Sequence, residues 1–437
     1  MASRTEPKRT NVPGISFVRA LDWIEEYRLD KNGLQILLVP DSASPVAGVM
    51  VTYHVGSRNE AIGYTGATHL LEHLMFKGSK HFNKKNGGDA FALLERKGAR
   101  VNATTWNDRT NYYEVLPRAL VPTALALEAD RMRNAYLRET DRVSEMPVVR
   151  NEFEIGENNP AEALDKQLWA LAYQAHPYHH STIGWKSDIE RVPIERLQKF
   201  YADFYRPDNA TVTVAGGFDV KEVLACIKKE FGAHIAPSAP LPELYTTEPR
   251  QEGERRVMVR RASDSNLVAI AHKIPGASHG DVPALLLLSL ILADGKASRL
   301  YRALVDTSQA TDVTTICYQL RDPSLLSTLV TLTPGTGHDR VEQTLKAEFA
   351  RICTEGIAAK EIAKARQSLR AYIASRSDGP YALLSSLNEE IATGDWTRFV
   401  TFPEALARVT AREVQAVAKK YLVDDQSTVG HFVGTRL

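Results

Sequence analysis

Two histidines and a glutamate fall within five residues in the stretch HLLEH, His69 to His73, among Leu70, Leu71, Leu74, Met75 and Phe76. On a helix, positions i and i+4 share one face about a turn apart, so His69 and His73 can offer both imidazoles to one ion. Glu72 points in a neighbouring direction, where it can reach a water on that ion without displacing it. A catalytic zinc site typically has three protein ligands and keeps one position for water. The metal lowers the pKa of that water, and a carboxylate can then take its proton. HxxEH is the mirrored order of HExxH, with the same chemistry.

The third ligand has to come from elsewhere. SEMPVVRNEFEIGENNP offers Glu145, Glu152, Glu154 and Glu157. Glu145 and Glu152 are two helical turns apart and share a stripe. Val148, Val149 and Phe153 flank Glu152 with apolar surface, where a carboxylate needs a partner. Glu152 is therefore the expected third ligand, and Glu145 is expected to orient a ligand from one step further out. For both glutamates, and for Glu145 above all, pairing with an arginine or lysine is the competing reading. Glu154 lies on nearly the opposite side of the helix and is expected in solvent. His176, His179 and His180 in AHPYHHSTIGW read as a loop with a structural or surface role. His54, His81 and His431 are isolated and receive no role.

The elements that must position these groups read as two similar halves. EEYRLDKNGLQILLVPD alternates around Asp30–Gly33 and predicts a hairpin. PVAGVMVTYHVGS follows as a buried strand, and Gly63 to Thr68 lead into the HLLEH helix. Helical spacing covers Asp89 to Lys97, and ARVNATTWNDRTNYYEVLP predicts a second hairpin turning near Trp106–Asp108. Helices are expected over Pro122–Tyr136, Ser144–Gly156 and Pro160–Ala175. Ile235 to Glu254 is proline-rich, polar and without period, and reads as a linker. After it the strand–strand–helix order returns in RRVMVRRA, SNLVAIAHKIP and DVPALLLLSLILAD, which predicts an internal duplication. The second-half counterpart of the HLLEH helix is purely apolar, so the polar cluster marks a site and not a requirement of the fold. The expected domains are residues 1–235, a linker from 236 to 254, and residues 255–437. At 437 residues the chain suits two domains.

Composition excludes several partners. The chain is 43% hydrophobic and 24% charged, with formal net charge +1, which implies no bulk attraction to nucleic acid or an anionic membrane. The longest apolar run, Ala284 to Ala293, is too short to span a bilayer. Cys226, Cys317 and Cys353 are widely spaced and read as reduced thiols. The first residues, MASRTEPKRTNVPG, carry no apolar export region, so the sequence as it stands reads as cytoplasmic, or as periplasmic if a signal has been replaced.

HxxEH, the Glu145/Glu152 pair some seventy-five residues later, VNATTWNDRTNYYEVLP between them and an apolar second half together resemble the pitrilysin/insulinase family of zinc metallopeptidases, closest to its mitochondrial-processing-peptidase-like chains. The resemblance runs from about Glu25 to Val433. It implies an α+β fold of two homologous α/β domains, each a mixed, mostly antiparallel sheet with helices packed on it. It implies one Zn2+ per chain on His69, His73 and Glu152, with Glu72 as general base and Glu145 behind the ligands. Peptide substrates would add a strand beside Val101–Thr105, placing Asn102, Ala103 and Thr104 along the substrate. One departure matters. Where active members carry an arginine and, seven residues on, a tyrosine that stabilise the tetrahedral intermediate, this chain has Val305 and Asp312. The resemblance therefore implies a heterodimer with a related metal-less subunit supplying that pair, as in some bacterial relatives. A homodimer would carry the same defect. The competing reading is a non-catalytic, core-type structural subunit of a complex.

Overall fold

Stretches of period two form strands and stretches of period 3.6 form helices through most of the chain. The computed structural model describes residues 9–86, 90–236 and 238–435. In the first half these are β1 (Ile15–Leu21), β2 (Ile24–Leu29), β3 (Gln35–Pro40), β4 (Val46–Tyr53), α1 (Ala67–Leu74), α2 (Ala90–Glu95), β5 (Arg100–Thr105), β6 (Thr110–Pro117), α3 (Val121–Asn134), α4 (Glu139–Asn158), α5 (Pro160–Ala172), α6 (Lys186–Arg191), α7 (Ile194–Phe204), β7 (Ala210–Gly216) and α8 (Val220–Phe231). The second half holds β8 (Arg255–Ala262), β9 (Leu267–Ile274), α9 (Val282–Ala293), β10 (Ala310–Cys317), β11 (Ser324–Leu332), α10 (His338–Glu355), α11 (Ala359–Ser375), α12 (Gly379–Ala392), α13 (Arg398–Arg408), α14 (Ala411–Tyr421) and β12 (Ser427–Thr435).

Both expected hairpins form. β2 and β3 pair antiparallel around a turn in which Gly33 takes φ 78°, a left-handed conformation that glycine adopts without strain. β5 and β6 pair antiparallel, closed by the Trp106 N–H donating to the Arg109 carbonyl at 2.9 Å. α2 covers the helix expected from Asp89, although Asp89 itself lies outside the described residues. The helix expected from Ser144 begins earlier, at Glu139, where ion pairs Arg138–Asp141 and Glu139–Arg142 support its first turn, and it continues through Pro147.

The duplication is visible strand by strand. The first sheet runs β1-β2-β3-β7-β4-β6-β5, and the second, read from its β8 edge, runs β8-β12-β9-β11-β10. β3 with β7 and β8 with β12 are the parallel pairs, and every other pair is antiparallel. The five strands from β3 to β5 thus repeat in order and direction as β8 to β10, and β1 and β2 are additions to the first sheet. The fold is α+β, with two mixed, mostly antiparallel sheets carrying helices.

The two compact units are not contiguous stretches of sequence. One contains the chain up to Asn151, Thr182–Tyr245 and Ala374–Val400; the other contains Glu152–Ser181, Thr246–Ile373 and the chain from Thr401. The contiguous division expected at 235 and 255 separates the strands in the same way but misplaces α5 and α12. In the first unit α12 packs on β4 and β7, where Leu384 and Leu387 join Ile24, Leu37, Met50 and Ala215. Gly48 permits this approach, since a Cβ there would stand 2.4 Å from Leu384 Cδ1. In the second unit α5 packs on β8, β9 and β12, where Leu164 and Leu168 meet Leu267, Ala269 and Phe432. Helices with apolar faces carry no label saying which sheet they will cover, so a sequence reading assigns each to its nearest neighbours.

The apolar run Ala284–Ala293 lies in α9, whose Leu285, Leu287, Leu288 and Leu292 are buried in the core of the second unit. No described helix is long and apolar enough to cross a membrane. The described residues of the linker form no helix or strand, and its part from Thr246 on is tied down in the second unit. The Glu248 carboxylate accepts the backbone N–H groups of Gln174, Ala175 and His176 at 2.8–3.0 Å.

Candidate metal and catalytic site

α1 carries the HLLEH stretch. Its buried side is Ala67, Thr68, Leu70, Leu71 and Leu74, which leaves His69, Glu72 and His73 half-buried on the other. The two histidine Nε2 atoms stand 3.4 Å apart. Glu152, on α4, completes a group with them: one ligand atom from each of His69, His73 and Glu152 lies within 4.8 Å of the others. Two imidazole nitrogens and one carboxylate at this spacing are the donor set of a catalytic zinc site. Burial, reinforced by His73, pushes the His69 imidazole down to about 4, which keeps it neutral, as a metal ligand must be.

Glu145 is buried one stripe-position before Glu152 and accepts a hydrogen bond from His73 Nδ1 at 3.1 Å. That bond fixes the ring's orientation and leaves Nε2 facing His69 Nε2. Lys77 pairs with the second oxygen of Glu145. Both expectations for this residue therefore meet in one carboxylate. Burial pushes the Glu145 carboxyl up, but the bonds from Lys77 and His73 outweigh it and hold it below the ordinary range. The apolar surround expected for Glu152 is narrower than the sequence suggested. Val149 is buried but Val148 is exposed, because α4 offers little more than the Glu145–Val149 edge to the interior. Glu154 is exposed, as expected.

β5 is an edge strand of the first sheet, with β6 on one side. Asn102 and Thr104 are exposed along it, and Ala103 is buried. Its last residue, Thr105, donates its hydroxyl to Glu72 Oε2, which links the strand to the candidate base. Arg109 stabilises the strand from the hairpin end. Its Nη1 donates to the Thr104 carbonyl at 3.2 Å and to Thr104 Oγ1 at 2.6 Å, while Nη2 donates to Glu389 of α12 at 2.6 Å. Thr105, Arg109, Lys77 and Glu60 were not singled out from sequence. Only Lys77 had a readable signal, lying one helical turn after His73.

Before α1, Glu60 is buried and accepts the N–H groups of Gly66 and Thr68, each at 2.7 Å. Burial pushes its carboxyl up to about 8, against the opposing pull of these donors. The loop is also held by Asp188 Oδ2, which accepts from the Gly63 and Thr65 N–H groups at 3.0 and 3.1 Å.

Several other histidines are paired or buried. His176 pairs through Nε2 with Asp322 at 2.9 Å, and His180 is buried. His81 pairs with Asp130 at 2.7 Å. His431 joins Asp339 and Glu342 in a second group with metal-like spacing. There Arg256 bonds both oxygens of Glu342 and Lys346 lies 3.4 Å from one of them, so two cations already occupy the charge a metal would need. Val305 ends a π-helical turn, Tyr301–Val305, and is partly buried on the second unit's core, while Asp312 is exposed on the edge strand β10.

Comparison with known proteins gives this geometry a family. Residues 35–186 match the family model described as Insulinase (Peptidase family M16), and residues 191–369 match that described as Peptidase M16 inactive domain. Zinc protease PqqE of Helicobacter pylori is 30% identical over 403 residues, 91% of this chain and 90% of its own length. The probable mitochondrial-processing peptidase subunit beta of Schizosaccharomyces pombe is 29% identical over 424 residues, 92% of this chain and 91% of its own. The crystal structure of a protease from Helicobacter pylori superposes with a TM-score of 0.89 at 29% identity, covering 94% of this chain and 99% of that one. With HLLEH inside the first matched region and the apolar counterpart helix inside the second, this chain belongs to peptidase family M16, the insulinase family of metallopeptidases.

Proposed function

We propose that this chain is the zinc-bearing subunit of a two-subunit metalloendopeptidase that cleaves short or unfolded peptides. One observation carries the reading: His69, His73 and Glu152 bring their ligand atoms within 4.8 Å of one another, with Glu72 on the same helix beside them. Zinc bound there would acidify a water and polarise the substrate carbonyl. His69, His73 and Glu152 would hold the ion, and Glu145 would orient His73. The exposed edge of β5 pairs with an extended peptide through backbone hydrogen bonds, beside Asn102, Ala103 and Thr104. Glu72 takes the proton of the attacking water on a carboxylate oxygen as the oxygen–carbon bond forms. It returns that proton to the leaving amine as the carbon–nitrogen bond breaks. Thr105 keeps the Glu72 carboxylate turned toward the end of the strand.

The intermediate's oxyanion needs further donors. Val305 has none, and an ionised Asp312 would repel the charge, so a different subunit supplies them. A relative named as a subunit of a processing peptidase is consistent with such pairing. A second reading, a non-catalytic core-type subunit, draws on the match of residues 191–369 to a model described as inactive. The presence of His69, Glu72, His73 and Glu152 together weighs against it, since a scaffold has no use for Glu72. Hydrolysis of an unfolded peptide, measured with the chain alone and with a related metal-less subunit titrated in, separates the two readings. Zinc-dependent turnover that rises with the partner supports the first, and no turnover under any condition supports the second.

A further inference from the structure

α1 has a problem at its start. A helix leaves its first N–H groups without intrahelical partners, and an eight-residue helix is marginal by itself. The usual remedy is a serine, threonine or aspartate at the N-cap. Here the N-cap is Gly66, with φ 84° and no side chain. No capping side chain fits, because a Cβ at Gly66 would stand 2.3 Å from the Ile183 carbonyl oxygen. Gly66, Ala67 and Thr68 are also buried, so water cannot serve as the acceptor.

We propose that Glu60 is the remote cap of the metal-binding helix and a positioning residue for the site. Its carboxylate, six residues upstream, takes the N–H groups of Gly66 and Thr68. Thr68 immediately precedes His69, so the bond fixes the turn from which the first candidate ligand projects. Glu145 does the same for the second ligand by bonding His73 itself. Each histidine thus has its own buried carboxylate, one acting through the backbone and the other through the ring. The second unit shows what the fold alone requires. The corresponding helix, α9, is longer, has a proline in its first turn, and uses no side-chain cap. Its N-cap Asp281 is turned instead to Lys420 and Tyr421, at 2.8 and 2.7 Å. The buried acid is found in the unit whose helix carries the polar triad.

The inference rests on the metallopeptidase reading for its purpose but not for its test. Hydrogen–deuterium exchange is measured on the purified chain, followed by a Co2+ titration monitored by visible absorption. Glu60→Gln keeps the shape but turns an N–H against one of the two helix donors. A buried helix N–H left without its acceptor is costly enough to expect about tenfold faster exchange in the 66–70 turn. Co2+ binding should weaken about tenfold with an altered absorption band, while exchange in the rest of the first unit stays unchanged. Glu60→Asp, which retains the acceptor, should recover part of both, and replaces Glu60→Gln if that variant does not fold. Asp188→Asn should loosen residues 63–65 without altering the cobalt band. Wild-type exchange at 66–70 together with wild-type cobalt affinity in folded Glu60 variants would overturn the proposal. A wild-type chain that takes up no cobalt would overturn the metal reading instead, and exchange at Gly66 and Thr68 would still decide whether Glu60 is the cap.

Discussion

α1 and α9 occupy the same place in two copies of one topology, each following the strand at the middle of the repeated five. α9 is apolar on all sides, with Leu285, Leu287, Leu288 and Leu292 buried. α1 is shorter, buries one side, and turns His69, Glu72 and His73 outward. The fold is satisfied by the first solution, so the second exists for something other than folding. α1 also needs outside support that α9 does not: Glu60 at its start, and Glu145 with Lys77 against His73. Chemistry has been added to one copy at a cost in local stability, and neighbouring carboxylates offset that cost.

The comparison breaks most sharply at the base. Glu72→Gln should leave the fold and the bound zinc intact but lower peptide hydrolysis by about 10²–10⁴-fold, because an amide cannot take the proton. Steady-state assays beside metal analysis check this, and substantial turnover in the variant would move the base elsewhere. The second unit's side of the comparison is tested at Val305 and Asp312. The isolated chain should be a poor peptidase, and a subunit bearing the missing arginine and tyrosine should raise turnover about 10²–10³-fold. Maximal turnover by the chain alone, unchanged by any related subunit, would contradict the heterodimer.

A smaller effect is expected behind the ligands. Glu145→Gln should weaken zinc binding about 10–100-fold, as for other groups that orient a metal-bound histidine. Competition with a chelator measures it, and unaltered affinity would reduce Glu145 to a partner of Lys77. The smallest effect on the site should come from α9. Leu288→Ala should cost about 2–5 kcal/mol of stability through the cavity it leaves, with zinc affinity unchanged. Thermal unfolding and metal titration on the same sample would show whether the two helices are as separate in role as their sequences suggest.

Much of this was legible in the sequence, and the rest fails for physical reasons. Hairpins with Asn32-Gly33 and Trp106–Arg109 turns announce themselves, because turn chemistry is local. HLLEH and the Glu145/Glu152 stripe are legible because helical spacing converts directly into shared faces. The exchange of α5 and α12 was not legible, since an apolar face states that a helix will be covered but not by which sheet. Glu60 and Thr105 were missed for the same reason. Their partners lie close in space, and neither spacing nor residue type marks a carboxylate that will cap a helix six residues away. The exposure of Val148 shows the limit of reading burial from apolar neighbours alone.

The central claim is that His69, His73 and Glu152 together hold one metal per chain. Zinc content per chain, measured by mass spectrometry after exhaustive dialysis for the wild type and for Glu152→Ala in parallel, tests it most directly. One zinc per wild-type chain and a large loss in the variant are expected. No zinc in the wild type, or zinc retained at native affinity in Glu152→Ala, would contradict it.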